Sequence, residues 1–127
     1  MWVFTVDGFF SAVQHRDTPG AVMVRGRAEA DIQHLATRLG VPVQTTPGGD
    51  YGYRCTVPAV DWASYLTDAV AELDYDNFKA ACHGEGDRDR AMMRCWAAMA
   101  DFQNDRQNPE PVMENFIEER WYWGPGA

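Results

Sequence analysis

The stretch AVMVRGRAEADIQHLATRLGVPVQTTPGGDYGYRCTVPAVDWASYLTDAVAEL, residues 21–73, decides the fold, because its hydrophobic period passes twice from strand to helix. Ala21–Arg27 is a β-branched run that reads as a strand. Ile32, Leu35, Ala36 and Leu39 then recur at helical spacing between Ala28 and Leu39, with Glu29 and Asp31 suited to the first turn and Gly40 as the stop. Val41–Thr46 reads as a short strand at a sheet edge, since Pro42 has no N–H to give to a ladder. The turn residues Pro47-Gly48-Gly49-Asp50 lead into a further strand, Tyr51–Val57. Asp61 is placed to cap a helix whose apolar stripe is Trp62, Tyr65, Leu66, Ala69, Val70 and Leu73. The order strand, helix, strand, strand, helix predicts an α+β fold with a ferredoxin-like (split βαβ) antiparallel sheet, both helices lying on one face.

Outward from this core, Trp2-Val3-Phe4-Thr5-Val6 and Phe9–His15 are two strand-like runs separated by Asp7-Gly8, which predicts an N-terminal β-hairpin with a type I′ turn at Asp-Gly. On the other side, a short helix is expected from about Asn77 to His83, with Asp74 or Asp76 as its cap. The polar loop Gly84–Asp87 follows, and then a longer helix over about Arg88–Phe102, lined by Met92, Cys95, Trp96, Met99 and Phe102. Asp105–Pro111 is linker-like, so the expected organisation is one α+β domain over residues 1–104 and an acidic, aromatic tail over 105–127. The face of the sheet away from the first two helices is either covered by the later helices or left as a binding surface.

The formal charge is −8, with Lys79 the only lysine, and this argues against binding a nucleic-acid backbone, whose affinity rests on cationic side chains. Residues 1–60 balance in charge, whereas Asp61, Asp68, Glu72, Asp74, Asp76, Glu85, Asp87 and Asp89 face only Lys79 and Arg88 in the next part of the chain. An acidic surface of this kind steers a basic protein partner, and its alternative is a solvated helix face. Cys55, Cys82 and Cys95 show no close metal or redox spacing and are expected as reduced thiols in the core. With no basic, apolar leader and no apolar run long enough to span a bilayer, the expectation is a cytoplasmic chain without a membrane segment.

Complete chemical motifs are missing. Asp74, Asp76 and Glu85 fall on the first, third and twelfth places of a calcium loop, but Phe78 and Lys79 occupy the fifth and sixth, where a ligand and a glycine are needed. Cys82-His83 lacks the further ligands of a thiolate–imidazole centre, and neither Gly48-Gly49 nor Gly84-Glu85-Gly86 is followed by the residues of a phosphate loop. No metal or other cofactor is expected. Two binding clusters remain. Arg25, Arg27 and Arg54, with Tyr51 and Tyr53, lie on strands and can share one polar-aromatic face able to hold an anion or a protein loop; ordinary outward-facing strand residues are the alternative. Trp121-Tyr122-Trp123 either folds back on the domain or anchors another protein.

Trp2-Val3-Phe4-Thr5 with Gly8-Phe9-Phe10-Ser11-Ala12-Val13, then Asp50-Tyr51-Gly52-Tyr53-Arg54 and Asp74-Tyr75-Asp76-Asn77-Phe78-Lys79, resemble blocks in a family of small proteins from actinobacteria and actinobacteriophages. The resemblance covers about residues 1–102 and implies no activity. The expected function is that of a non-enzymatic, plausibly phage-encoded, accessory protein. It would engage and modulate a host protein through Asp68, Glu72, Asp74, Asp76 and Trp121–Trp123. The alternatives are a small-molecule binding or small enzymatic domain that takes an anionic metabolite or nucleotide at the arginine–tyrosine cluster, and, ranked lower, mimicry of DNA. A second copy of the chain is a further candidate partner.

Overall fold

In the computed structural model, residues 1–82 and 86–108 are described, and they fall in two compact units, Met1–Cys82 and His83–Ala127. The first unit is α+β. Its strands are β1 (Trp2–Thr5), β2 (Gly8–Gln14), β3 (Ala21–Gly26), β4 (Gln44–Thr45) and β5 (Tyr53–Pro58), and its helices are α1 (Glu29–Leu39), α2 (Ala59–Ala71) and the single turn α3 (Phe78–Ala81). The five strands form one antiparallel sheet in the order β1-β2-β3-β5-β4.

Strand alternation puts Phe10, Ala12, Val24, Cys55 and Val57 on one side of the sheet, where α1 contributes Ile32 and Leu35, and α2 contributes Trp62 and Tyr65. Trp62 stacks on Tyr65 with ring centroids 5.3 Å apart, and Phe10 meets Tyr65 edge-on at 5.9 Å. These rings and the branched aliphatics are the source of the unit's stability, each buried large side chain contributing about 1.5–3 kcal/mol.

Several local expectations change for identifiable reasons. The β1–β2 pairing aligns Thr5 with Gly8, so the turn residues are Val6 and Asp7, and neither has positive φ; the turn is therefore not type I′. Gly8 is needed for close approach instead. A Cβ there would lie 2.3 Å from the Asp31 carboxyl carbon, and the Asp31 carboxylate accepts a hydrogen bond from the Phe9 N–H at 3.3 Å. The Asp7 N–H completes the turn by donating to Thr5 Oγ1.

Helix α1 ends as expected at Gly40, whose φ of 66° lets its N–H reach the carbonyls of Ala36 and Thr37. Pro42 keeps its neighbours out of the ladder, so β4 shrinks to Gln44–Thr45 while Val41 and Val43 pack against the core. Asp61 does not cap α2, because the helix begins at Ala59, whose N–H donates to Gly20 O; Asp61 lies in the first turn, where the helix dipole favours a carboxylate. Neither Asp74 nor Asp76 caps α3. Asn77 does, its side chain accepting from the Ala80 N–H at 3.2 Å. Of the cysteines expected in the core, Cys55 is buried but Cys95 is exposed.

In the second unit, α4 (Asp87–Gln107) continues past Asn104 through Asp105, Arg106 and Gln107, the first residues of the stretch expected as linker, whose last three lie outside the described residues. Nothing between Gly86 and Pro109 breaks a helix, and Arg106 suits the negative end of the dipole. Trp96, Met99 and Phe102 on α4 are exposed, at 54%, 66% and 54%. Among the described residues no helix is long and apolar enough to cross a membrane.

Candidate binding face of the sheet

The register that buries Phe10 and Val24 also fixes what faces away from α1 and α2. Trp2 stands opposite Ser11, Phe4 opposite Phe9, Ser11 opposite Arg25, Val13 opposite Met23 and Arg25 opposite Arg54. Directly paired residues share a face, so these side chains form one row across β1, β2, β3 and β5. Two regions compose it.

The β1–β2 end is aromatic. Phe9 is the hinge of the cluster, with its ring centroid 5.9 Å from that of Trp2, edge-on, and 4.7 Å from that of Phe4. Trp2, Phe4 and Val13 are 69%, 37% and 39% exposed, an unusual concentration of large apolar side chains in water on neighbouring strands.

The β3–β5 end is cationic and organised around Tyr51, which is buried. The guanidinium carbons of Arg25 and Arg27 lie 4.6 and 4.3 Å from its ring centroid, within cation–π range. Arg25 Nη2 donates to Ser11 Oγ at 2.8 Å, so the buried Ser11 hydroxyl joins the aromatic and cationic ends. Arg27 Nη1 donates to the Asp50 carbonyl at 2.6 Å, and Arg54 Nη2 to the Tyr51 carbonyl at 3.3 Å. Among the described residues Asp50 supplies the cluster's one carboxylate, with Oδ2 3.9 Å from Arg25 Nη1 and Oδ1 3.9 Å from Arg54 Nη2. Its Oδ1 also accepts from the Tyr51 N–H at 2.9 Å. Arg25 Nε and Arg54 Nε are buried without a hydrogen-bond partner among the described residues.

Of the five residues expected at an anion site, the fold brings together Arg25, Arg27, Tyr51 and Arg54. Tyr53 goes elsewhere: it pairs with Gly26 next to the Arg25–Arg54 pair, so alternation turns it to the helical side, where it packs against the core. Tyr51 lies just before β5, not within it. Ser11, Asp50 and the aromatic row Trp2, Phe4 and Phe9 were not named as site residues from the sequence. Period-two alternation was visible in each strand, but only the register between strands tells which alternate set shares a face with Arg25.

The acidic residues expected to meet a protein partner lie elsewhere. Asp68 on α2 and Glu72, the residue that follows that helix, are exposed, and each has an oxygen 3.3 Å from Arg38 Nη2 of α1, so part of their charge is compensated within the fold. Asp74 and Asp76 are exposed between α2 and α3. Trp121, Tyr122 and Trp123 lie outside the described residues, as do His83 and Glu85. The chain matches no protein-family model. Neither a curated protein nor a solved structure matches it.

The other polar group of note is structural. Tyr65 donates its phenolic O–H to Asp7 Oδ2 at 3.2 Å and lies 3.4 Å from Thr5 Oγ1, tying α2 to the hairpin. Burial pushes its pKa up to about 12. His34 Nε2 is 3.8 Å from the other oxygen of Asp7. The remaining described histidine, His15, accepts from the N–H groups of Asp17 and Thr18 and so shapes the β2–β3 turn. No group of three or more histidine, cysteine, aspartate or glutamate side chains among the described residues is disposed to hold a metal.

Proposed function

We propose that this chain is a binding protein that makes and breaks no bonds and recognises, on the open face of its sheet, a protein segment carrying both apolar side chains and oxyanions. It acts by occupying that segment. The observation that carries this reading is the continuity of the exposed Trp2–Phe4–Phe9 row with the Arg25, Arg27, Arg54 cluster through the Ser11–Arg25 hydrogen bond. Trp and Arg are among the residues that most often dominate interface energetics, and here they share one surface, with Tyr51 beneath the arginines. Guanidinium groups stay charged at any pH a folded protein meets, so they position and neutralise anions without exchanging protons.

Charge separation across the sheet supports the same choice of partner. Helix α2 and its C-cap carry Asp61, Asp68 and Glu72 behind the sheet, while among the described residues three guanidiniums and one carboxylate gather in front. A long polyanion would meet the net charge of −8 at long range, whereas a short acidic segment needs only the local excess of arginine. A small anion by itself would use the cationic end and leave Trp2 and Phe4 in water. Placement of β5 between β3 and β4 supports reading the platform as ferredoxin-like, with the β1–β2 hairpin beside β3 in the place of a final strand.

Selection from a random peptide library, followed by amide chemical-shift mapping, tests the reading. Selected peptides should pair acidic with aromatic or aliphatic residues, perturb β1–β3 and β5, and lose at least about tenfold in affinity with Trp2→Ala or Arg25→Ala. Glu72→Gln should bind unchanged. Peptides that instead map to α2, or tighter binding of a single-stranded oligonucleotide than of any peptide, would remove it.

A further inference from the structure

We propose that the Arg25–Arg54 pair is an oxyanion subsite and that Asp50 is its resident substitute, displaced when an oxyanion of the partner enters. This rests on the reading of the open sheet face given above and names the chemistry of its cationic end.

Three features of the pair point the same way. Arg25 and Arg54 stand directly opposite on neighbouring strands, an arrangement that like charges make unfavourable unless an anion lies between or above them. Their Nε–H groups are buried with no hydrogen-bond partner among the described residues, and a buried donor ordinarily has an acceptor. Asp50 reaches both guanidiniums at 3.9 Å, close enough for attraction and too far for a hydrogen bond to either. A single carboxylate is therefore spread between two cations and satisfies neither. A guanidinium presents a planar fork that takes an oxyanion bidentately, which the spanning position of Asp50 does not use.

Displacement is mechanically open. The Asp50 side chain is 68% exposed, whereas its main chain is fixed by Arg27 at the Asp50 carbonyl and by Arg54 at the Tyr51 carbonyl. The carboxylate can swing into water without the loop leaving the sheet. Tyr51, buried under Arg25 and Arg27, keeps two of the three guanidiniums in place during the exchange.

The shared ligand chemistry is a carboxylate or phosphoryl oxyanion, and arginine side-chain N–H spectra of the full-length, isotope-labelled chain read it directly. Sodium phosphate and sodium acetate are titrated in separate arms against sodium chloride at matched ionic strength. The Arg25 and Arg54 Nε–H signals should shift saturably while that of Arg38 does not, and Asp50→Asn, which keeps an acceptor for the Tyr51 N–H, should bind the same anion about 2–5-fold more tightly, the factor an exposed ion pair supplies. Stronger response to phosphate assigns the subsite to a phosphorylated partner, and stronger response to acetate to an acidic side chain. Arginine signals that respond no more than to chloride, or an Asp50→Asn protein that binds equally or more weakly, overturn the proposal. Peptides that bind through Trp2 and Phe4 with Arg25 and Arg54 unmoved would sink the subsite alone; anion binding without any peptide binding would sink the wider reading alone.

Discussion

The two faces of this sheet are cut from the same strands, and they differ in what their side chains achieve. On β2, β3 and β5 the set Phe10, Ala12, Val24, Cys55 and Val57 disappears under two helices, while strand alternation turns the side chains of Phe9, Ser11, Arg25 and Arg54 to the opposite face. Both faces carry aromatics from the hairpin, Phe10 on the covered one and Trp2, Phe4 and Phe9 on the other. On the covered face they are enclosed by Trp62 and Tyr65, whereas on the open face Phe4 and Trp2 keep 37% and 69% of their surface. Burial, not residue type, decides which aromatic contributes to folding. The open face adds what a core excludes, guanidiniums aligned on adjacent strands.

The sharpest way to break this contrast is a pair of identical truncations. Phe10→Ala should cost about 3–5 kcal/mol, since Phe10 is wholly enclosed and its removal leaves a cavity among Val24, Trp62 and Tyr65. Phe4→Ala should cost less than about 1 kcal/mol, because it removes a ring that water already reaches. Urea unfolding midpoints compare the two directly. Similar losses would show that the aromatic row on the open face belongs to the core, and the binding reading would lose its premise.

Alkaline titration sharpens the comparison from the covered side. Burial raises the Cys55 thiol from 9.0 to about 11 and the Tyr65 phenol from 10.0 to about 12. Both groups are neutral when protonated, so the folded state holds its protons over a range in which the unfolded chain has released them. Stability is therefore fully present below about pH 9 and declines as pH rises through the window from 9 to 12, by a limiting 1.4 kcal/mol per pH unit for each group inside its own part of the window. Cys55→Ala should remove the earlier part of the decline and Tyr65→Phe the later part, at a constant cost of about 1–2 kcal/mol for the lost hydrogen bond to Asp7. Unfolding midpoints that stay level from pH 8 to 12 in the parent chain would contradict the enclosure of both groups.

What the sequence made legible follows the same division. Helical spacing at Ile32, Leu35 and Ala36 and the stop at Gly40 located α1, and strand-like runs located the five strands, because both signals are local. The Asp7-Gly8 turn misled because Gly8 answers to Asp31, a residue on a different element. Tyr53 was grouped with Arg54 although adjacent strand residues face opposite ways, and Tyr51 joined the cluster from outside the strand. The arginines could be named as candidates from composition alone. Their alignment with Ser11 and the Trp2–Phe4–Phe9 row depends on pairing registers between distant segments, for which a single chain carries no local signal.

The smallest effect on stability is expected where the effect on binding is largest. Arg54→Met keeps the length of the side chain and its packing along the sheet while removing one of two like charges held side by side, together with a buried N–H that has no acceptor among the described residues. Against this, the hydrogen bond to the Tyr51 carbonyl and half of the Asp50 bridge are lost, both of them long. Replacing an imperfectly satisfied charge by an apolar group of similar shape is commonly neutral or favourable, so the variant should be unchanged or stabilised by up to about 1 kcal/mol in urea unfolding. Phosphate or acetate response at Arg25 should fall with it. A residue that folding tolerates losing, or gains from losing, is held in its strand for recognition; a loss of more than about 2 kcal/mol in Arg54→Met would instead place Arg54 among the residues that hold β3 and β5 together.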